Sequence, residues 1–349
     1  MQSESFNKKQ MTTRAKLLYM GLILLGMYAL ILIIAYIKIF AFRSVAVNMD
    51  NMVIFTGLAG AVFGMFITLI VYGYMNSWHI NLPMRKFFAM TAAMLFGYIL
   101  CICVEDFNPY YMPLMFTAFL LISIVDKRDV LMCNIVLNTI VFITVYFEHD
   151  LIDSPYRSLD FVVLLGFGLT MGAILAYYLS GAVTRISFFV RSFILGIINV
   201  ELMYLVSLLW HGFDFASSLL ALSIINFGQI IIAIALQPVF ESLFGLLTNA
   251  KLRELTDHSA PLLKRLIVEA PGTFNHCLSV ASLAEVCAVA IGESALLTKA
   301  CAYYHDIGKL TGPMYFAENQ AAGENPHDNM LPEVSADILR KHTTFGYEL

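Results

Sequence analysis

Long apolar stretches, separated by short polar links, dominate the first two thirds of the chain. A stretch of about 20 apolar residues can cross the hydrocarbon core of a bilayer as an α-helix. Eight stretches approach or exceed this length, at residues 17–40, 52–74, 87–104, 110–125, 130–147, 159–179, 192–210 and 216–237. The stretch at 110–125 is short enough to be tilted or to be fused with its neighbour. The pattern therefore predicts a polytopic α-helical membrane bundle of about eight spans.

The charges in the links predict how the spans are oriented. Alternate links are basic, like the tail at residues 1–16, and they carry Arg85, Lys86, Lys127, Arg128, Arg185 and Arg191. The links between them are acidic and carry Glu105, Asp106, Glu148, Asp150, Asp153 and Asp214. Lys and Arg mark the cytoplasmic side of a membrane protein. Eight spans therefore place both termini in the cytoplasm.

The first apolar stretch is interpreted as a retained membrane anchor. Its rival interpretation, a signal peptide, requires a core of only about 7–15 apolar residues followed by a small-residue cleavage site. The stretch at 17–40 is longer, and no convincing cleavage site follows it. Within the spans, Glu201 is the clear ionisable residue. An intramembrane carboxylate is a functional candidate, but a hydrogen-bonded packing residue is an equally good interpretation of Glu201.

Beyond residue 238 the apolar pattern changes to that of amphipathic and short buried helices. Pro238 is predicted to end the last span, and residues 239–258 form a connecting stalk helix with an apolar stripe. Two interpretations of the stripe stay open, a dimer contact or a connector packed on its own domain. Further helices are predicted at 273–291, ended by Gly292, and at 294–305. Since no strand pattern appears, the fold class is all-α.

Composition supports this division into a membrane part and a smaller polar part. The 349 residues are 59% hydrophobic and 13% charged, with a mean hydropathy of +0.76. A soluble domain has about 25% charged residues. From Glu241 to Leu349, 8 Lys and Arg face 13 Asp and Glu, a net charge of −5. An acidic domain argues against duplex nucleic acid as a partner and suits a domain that binds cations.

The candidate chemistry lies at His305 and Asp306, which follow an apolar helix. An imidazole nitrogen is thereby placed next to a carboxylate that can bridge two cations. Five of the eight histidines fall in the last 109 residues, among them His276, His327 and His342. Clustered His and Asp on a helical scaffold indicate a metal site. Spacing alone leaves open the alternative of separate surface histidines.

Several motifs in this region resemble a known family. They are residues 269–276 (EAPGTFNH), 283–285 (LAE), 302–309 (AYYHDIGK), 318–320 (ENQ) and 325–328 (NPHD). Together they look like the HD phosphohydrolase domain of the seven-transmembrane-HD (PgpH-type) membrane proteins. Members of that family hydrolyse the bacterial second messenger cyclic di-AMP. The resemblance covers residues 238–349, and the eight apolar stretches match the family in architecture.

The resemblance implies a two-metal site with named ligands. His276, His305 and Asp306 hold one divalent transition metal ion, and Asp306 bridges to a second ion that His342 helps to hold. Manganese or iron suits such a histidine-rich, cysteine-free ligand set. Lys309 steadies the phosphate as a point charge. The resemblance also implies weaker roles, in substrate binding or in support of the site, for Asn319 and His327.

The chain departs from the family pattern in two places. Only Ala41 to Asn51 join the first two spans, so the family's extracellular sensor domain looks absent. The sequence also stops at Leu349, before the family's His-His-Gly-Thr element and a later Asp that supply about half of the metal ligands. The expectation is therefore an HD domain incomplete at its C-terminus, in a chain that is inactive or nearly so.

Three functions compete on this basis. The leading hypothesis is a membrane-anchored HD phosphodiesterase that acts on a cyclic dinucleotide, cyclic di-AMP, at the inner membrane of a bacterial cell. The second is a catalytically incomplete membrane fragment or sensor-like protein with a non-hydrolytic HD remnant. The third, a transporter or receptor, needs polar residues at the bilayer midplane, and the spans are expected to offer almost none. The predicted organisation is a cytoplasmic tail at 1–16, a transmembrane region at 17–238, a stalk at 239–258 and a partial HD domain at 259–349.

Overall fold

The computed structural model describes residues 12–152, 158–180, 184–211, 215–320 and 325–349. Within these ranges the chain is helical and contains no strand, which confirms the predicted fold class. Contacts divide it into two units, Met1–Leu246 and Leu247–Leu349. The tail at 1–11 and the link residues Asp153 and Asp214, which helped to orient the spans, lie outside the described ranges.

The first unit is built from long apolar helices. They are α1 (Thr13–Tyr36, continued by a π-helical turn Ile37–Phe42), α2 (Met49–Met75), α4 (Met84–Glu105), α6 (Lys127–Leu151), α7 (Ser158–Leu179), α8 (Arg185–His211) and α9 (Phe215–Phe244), with a short α3 (Trp78–Asn81) after α2. Side-chain oxygens of Thr12 and Asn48 cap the first turns of α1 and α2. Seven of the eight predicted spans are thereby confirmed as helices long and apolar enough to cross a membrane.

The predicted span at 110–125 is a broken segment instead of one helix. A single 3-10 turn at Pro109–Tyr111 and the short helix α5 (Phe116–Leu121) are separated by irregular backbone at Met112 to Met115. Every residue of α5 is buried. Irregular backbone at membrane depth is tolerated where protein surrounds it, because neighbouring groups must replace the missing helical hydrogen bonds.

Contacts at its two ends show that the broken segment runs the length of the bundle. Glu105, at the end of α4, contacts His149 in the last turn of α6. Asp129, in the first turn of α6, accepts hydrogen bonds from Tyr72 and Trp78 near the end of α2. The segment between α4 and α6 therefore starts at one end of α6 and finishes at the other. Counted over the described residues of this unit, the chain passes through it eight times, as the apolar pattern predicted.

Pro238 does not end the last span, contrary to the sequence-based expectation. Helix α9 continues through it to Phe244. A proline inside a helix removes one backbone hydrogen bond, but membrane helices tolerate this loss where neighbouring groups compensate. The stalk predicted at 239–258 thus begins as part of α9. Leu243 and Leu247 are exposed and Leu252 is buried in its own unit, so both interpretations of the apolar stripe retain support.

The first unit contains far more buried polar groups than expected. Six amide side chains are buried within its helices, namely Asn134, Asn138, Asn199, Asn226, Gln229 and Gln237. Lys38, Glu105, Glu148 and His149 are also buried. Glu201, in contrast, is exposed on α8, which does not favour a hydrogen-bonded packing role. Sequence reasoning assigned Glu105 and Glu148 to links, but the helices extend beyond the apolar stretches and bury these residues.

These charged residues form an ion-pair cluster at the ends of α1, α4 and α6. Its members are Lys38, Arg43, Glu105, Asp106, Glu148 and His149. The ammonium of Lys38 contacts Glu105, lies 3.1 Å from an oxygen of Asp106 and lies 3.3 Å from one of Glu148. Arg43 Nε donates to Glu148 at 2.6 Å. The chain thus supplies its own cations to these buried carboxylates.

The second unit consists of shorter helices with polar starts and clear stops. They are α10 (Asn249–Leu255), α11 (Pro261–Glu269), α12 (Pro271–Ala290), α13 (Ala295–Tyr304) and α14 (Pro332–Glu348), with 3-10 turns at Ile307–Thr311, Pro313–Tyr315, Ala317–Asn319 and Pro326–Asn329. Proline occupies the first turn of α11, α12 and α14, where its missing N–H is not needed. Gly292, with φ of +75°, ends α12 in the left-handed conformation that glycine adopts readily.

Helix α12 is long and apolar enough to be counted among the eight candidate spans of the described residues, with the lowest hydropathy of the set, 1.3. Its contacts place it in the second unit instead. Its buried residues pack on α11, α13 and the turn after α13, around Leu263, Leu266, Tyr303 and Ile307. Its first turn carries polar groups that belong to the site described next.

Candidate metal centre

Asp306 is the centre of a polar cluster in the second unit. It follows His305, the C-cap of α13, and its side chain is only 10% exposed. Gly308 then lets the chain pass close to α14, because a Cβ atom there would lie 1.8 Å from the carbonyl oxygen of His342. Gly272, in the first turn of α12, allows a similar close approach to the loop at Glu318, because a Cβ atom there would lie 1.8 Å from the carbonyl oxygen of Glu318.

Three histidines from three helical segments converge on this carboxylate. Nε2 of His305 lies 3.4 Å and Nε2 of His276 lies 3.9 Å from Oδ2 of Asp306. Nε2 of His342, from α14, lies 3.5 Å from the other oxygen, Oδ1. The four side chains that the sequence assigned as metal ligands therefore lie together. The two carboxylate oxygens face different histidines, which is the arrangement that a bridging carboxylate needs.

Local hydrogen bonds orient two of the imidazoles. Nδ1 of His305 lies 2.7 Å from the carbonyl oxygen of Ala302, and Nδ1 of His342 lies 2.5 Å from that of Leu339. A carbonyl oxygen can only accept, so Nδ1 carries the proton in each ring. The lone pair of each neutral ring is then on Nε2, which faces Asp306. Fixing the tautomer through the second ring nitrogen is typical of histidine ligands.

The spacing of these atoms fits a transition metal ion. Ligand atoms of His276, His305 and Asp306 all lie within 4.8 Å of one another. Metal–nitrogen and metal–oxygen bonds of about 2.0–2.2 Å put neighbouring ligands about 3.0–3.6 Å apart. The distances of 3.4 and 3.9 Å to Asp306 are close to this range. Imidazole nitrogen and carboxylate oxygen together form a donor set suited to divalent transition metals.

Lys309 supplies the fixed positive charge of the cluster. Its Nζ lies 2.8 Å from Oδ2 of Asp306 and 2.7 Å from Oε1 of Glu318. Partial burial alone would lower the pKa of Lys309, but hydrogen bonds to these two carboxylates outweigh burial and raise it. Partial burial would likewise raise the pKa of Glu318, but hydrogen bonds from Lys309 and Thr273 outweigh burial and lower it. Both groups are therefore charged at neutral pH.

Glu318 and Thr273 are site residues to which sequence reasoning gave no role. Thr273 Oγ1 donates to Glu318 Oε1 at 2.9 Å, and Asn319 Oδ1 accepts from the backbone N–H of Thr273 at 3.1 Å. Asn319 thus holds the start of α12 against the loop that carries Glu318. Both residues were visible in the ENQ and EAPGTFNH motifs. Their pairing was not, because it joins positions 45 residues apart.

His327 does not join the cluster. Its Nε2 lies 2.8 Å from the carbonyl oxygen of Tyr315, and its Nδ1 lies 2.7 Å from Ser335 Oγ. These contacts tie the loop before α14 to that helix. Its suggested part in substrate binding stays a prediction. His258, to which the sequence gave no role, packs edge-to-face on Phe274 and Tyr303.

Comparisons with known proteins match the region that carries this cluster. Residues 273–349 match the family model of the HD domain. The chain is 41% identical over 193 residues to the cyclic-di-AMP phosphodiesterase PgpH of Listeria monocytogenes, covering 52% of this chain and 27% of that protein. It is 37% identical over 155 residues to PgpH of Bacillus subtilis, covering 44% of this chain and 22% of that protein.

The chain thus spans about a quarter of the length of these curated relatives. A crystal structure of the L. monocytogenes PgpH HD domain in complex with cyclic di-AMP is 49% identical over 27% of this chain and 44% of that chain, with a TM-score of 0.26. The chain carries an HD domain, contains several apolar helices of membrane-spanning length, and is similar to PgpH phosphodiesterases.

Proposed function

We propose that this protein is a membrane-anchored, metal-dependent HD-family phosphodiesterase that hydrolyses a cyclic dinucleotide, cyclic di-AMP, in the cytoplasm. The observation that carries the proposal is the convergence of His276, His305 and His342 on the two oxygens of Asp306. The substrate class rests on similarity to proteins described as cyclic-di-AMP phosphodiesterases.

The proposed cofactors are two divalent transition metal ions, manganese or iron. When bound, such a pair activates water and neutralises charge on a phosphodiester. His276, His305 and Asp306 Oδ2 would hold the first ion. Asp306 Oδ1 and His342 would contribute to the second. The nitrogen donors favour transition metals over magnesium, which prefers oxygen ligands.

The chain's own residues prepare the site for a phosphodiester. The Nδ1 hydrogen bonds of His305 and His342 hold both rings with Nε2 toward the centre. Lys309 presents a permanent positive charge beside Asp306 and would attract a phosphate oxygen. Glu318 holds the Lys309 ammonium at 2.7 Å, which restricts where that charge can lie. Asn319 keeps the supporting loop in place.

The proposal includes the location of the protein, the inner membrane of a bacterial cell, with both termini in the cytoplasm and lipid as the surrounding medium. The support is the alternation of basic and acidic links along the chain. Reporter fusions after residues 153 and 185 test it, because these positions flank one span. Opposite sides are expected, and the same side for both fusions would overturn the topology.

Turnover of cyclic di-AMP by the purified chain in detergent tests the activity. The sequence-based expectation that the chain is inactive or nearly so stays a prediction, and the same assay decides it. If the chain is an active phosphodiesterase, added manganese or iron supports formation of the linear dinucleotide, which is lost on chelation and in His305→Ala. His258→Ala is a matched control in the same unit, since His258 contacts aromatic rings outside the cluster. Equal and measurable turnover by the wild type and His305→Ala would refute the metal assignment, whereas no turnover by the wild type would agree with the expectation of an inactive chain.

A second candidate function is nucleotide binding without hydrolysis. The observation that favours it is the sparse second site, because among the described residues only Asp306 Oδ1 and His342 face that position. Catalytic metal sites typically have three protein ligands. Saturable, metal-dependent binding of cyclic di-AMP with no linear product would favour this function over hydrolysis.

A further inference from the structure

Buried amide side chains near the middle of the first unit form two hydrogen-bonded relays. In the first relay, Asn226 Nδ2 donates to the carbonyl oxygen of Gly196 at 3.4 Å, and Gln229 Nε2 donates to Asn226 Oδ1 at 2.8 Å. In the second relay, Asn134 Nδ2 donates to the carbonyl oxygen of Gly168 at 3.1 Å, and Asn138 Nδ2 donates to Asn134 Oδ1 at 2.9 Å.

Each relay begins at a glycine carbonyl, that of Gly196 or Gly168, and ends at an amide oxygen. A helix carbonyl accepts but cannot donate, so the amide next to Gly196 or Gly168 must present its NH₂ group. That fixes the direction of every following bond. The terminal atoms are Gln229 Oε1 and Asn138 Oδ1, and both are buried without a hydrogen-bond partner among the described residues. Asn199 Oδ1, on α8, is also buried without a hydrogen-bond partner among the described residues.

The three residues that carry these unpaired oxygens line two small cavities beside the irregular backbone at Met112 to Met115. The first cavity has a volume of about 20 Å³ and is lined by Asn199, Gln229, Tyr110 and this backbone segment. The second has a volume of about 10 Å³ and is lined by Asn138 and part of the same segment. A space of about 10–15 Å³ holds one water-sized guest.

A buried acceptor without a donor is costly. Leaving a buried polar group without a partner destabilises the fold, and here Asn199 and Gln229 line the same cavity while each is only 7% exposed. A guest that brings positive charge or protons would remove this cost. The amide oxygens of the lining residues are neutral, and Tyr110, which also lines the first cavity, donates through its hydroxyl to the carboxylate of Asp160 at 3.2 Å.

We propose that the two cavities, together with the irregular backbone at Met112 to Met115, form a binding site for a monovalent cation, sodium or potassium. Neutral oxygens suit a singly charged ion, whereas divalent cations need carboxylates in the first shell. The carbonyl oxygens of Met112, Pro113 and Met115 accept backbone hydrogen bonds, but among the described residues that of Leu114 has no backbone donor. Leu114 lines both cavities, and unwound backbone carbonyls coordinate such ions in other membrane folds. The site is separate from the Asp306 cluster and independent of the proposed phosphodiesterase activity.

Thermal unfolding of the purified full chain in detergent, with divalent ions removed by chelator, tests the proposal. Sodium, potassium and choline chlorides are compared at equal ionic strength. At a concentration about ten times its dissociation constant, the bound cation should raise the unfolding midpoint by about 3–6 °C over choline, with saturation. Gln229→Met and Asn138→Leu should each reduce this increment. Gln237→Met is the matched control, because Gln237 is buried on the same helix as Gln229 but donates to Phe119.

The control variant should unfold at a lower temperature in all three salts and keep the full cation increment. Identical midpoints of the wild type in sodium, potassium and choline would overturn the proposal and indicate water in the cavities. An undiminished increment in both cavity variants would also overturn it. The line width of the sodium-23 NMR signal, measured with the wild-type chain, tests the site without any variant. The broadening caused by the protein should saturate as sodium concentration rises, and a strictly linear dependence would contradict a specific site.

Discussion

Two clusters in this chain place acidic and basic groups close enough to hold a metal ion, but they differ in what balances the carboxylates. Among the described residues, the groups with suitable spacing are Glu105–Asp106–Glu148 in the first unit and His276–His305–Asp306 in the second. In the first unit, Lys38 and Arg43 contact all three carboxylates directly. In the second, imidazole nitrogens of three histidines face Asp306, and a single ammonium, that of Lys309, contacts it at 2.8 Å.

The difference shows that proximity of ligand atoms does not define a metal site. A cation entering the first cluster would have to displace an ammonium and a guanidinium that are already hydrogen-bonded. In the second cluster, the orienting Nδ1 bonds leave nitrogen lone pairs directed at the position of the ion. We therefore assign a stabilising role to the ion-pair cluster and a metal-binding role to the Asp306 cluster.

The largest expected effect is that of Asp306→Ala on function. The change removes the carboxylate that both proposed metal positions share, so turnover of cyclic di-AMP should fall below detection. The unfolding midpoint of the metal-free chain should drop less than in Lys38→Met, because Lys309 keeps its partner Glu318. Substantial turnover by Asp306→Ala would exclude the bridging role.

Lys38→Met should have the largest effect on stability. It leaves the carboxylates of Glu105 and Glu148, whose side chains are 0% exposed, without their ammonium partner. Breaking a buried ion pair by removing one partner costs about 3–5 kcal/mol. Denaturant unfolding in detergent measures this loss, and metal content should be unchanged. A cost below about 1 kcal/mol would mean that the cluster does not stabilise the bundle.

Part of this picture could be predicted from the sequence, and part could not. The apolar stretches predicted the number of passages. The resemblance to a known family implied that His276, His305 and His342 belong to one set, whereas spacing alone left separate surface histidines open. The ion-pair cluster was missed because Glu105 and Glu148 lie at helix ends, where sequence alone does not distinguish a buried turn from a link. The amide relays were missed because they depend on which face of each helix meets its neighbour.

Glu318→Gln should have an intermediate effect on the second unit. The amide keeps the shape of the side chain but removes the charge that holds Lys309 at 2.7 Å. Loss of a residue that orients a site typically costs about 10–100-fold in metal affinity or activity. Glu285→Gln is the matched control, since Glu285 pairs with Lys299 away from the site. Equal activity of Glu318→Gln and Glu285→Gln would show that Glu318 does not position Lys309 for activity.

Lys341→Ala should have the smallest effect. Lys341 pairs with Asp337 at 2.6 Å on the exposed side of α14, and both side chains are more than 40% exposed. Exposed pairs at this helical spacing contribute about 0.3–0.5 kcal/mol. Chemical denaturation should therefore hardly distinguish this variant from the wild type. A cost similar to that of Lys38→Met would contradict the contrast between buried and exposed charges.

The most direct test of the central claim is the metal content of the purified chain, measured by elemental analysis after dialysis against manganese or iron. We expect at least one tightly bound ion per wild-type chain, retained in Glu148→Gln and lost in Asp306→Asn. Both substitutions keep the size of the side chain and remove one carboxylate charge, so they compare the two clusters under matched conditions. Metal that is retained in Asp306→Asn and lost in Glu148→Gln would contradict a metal site at Asp306.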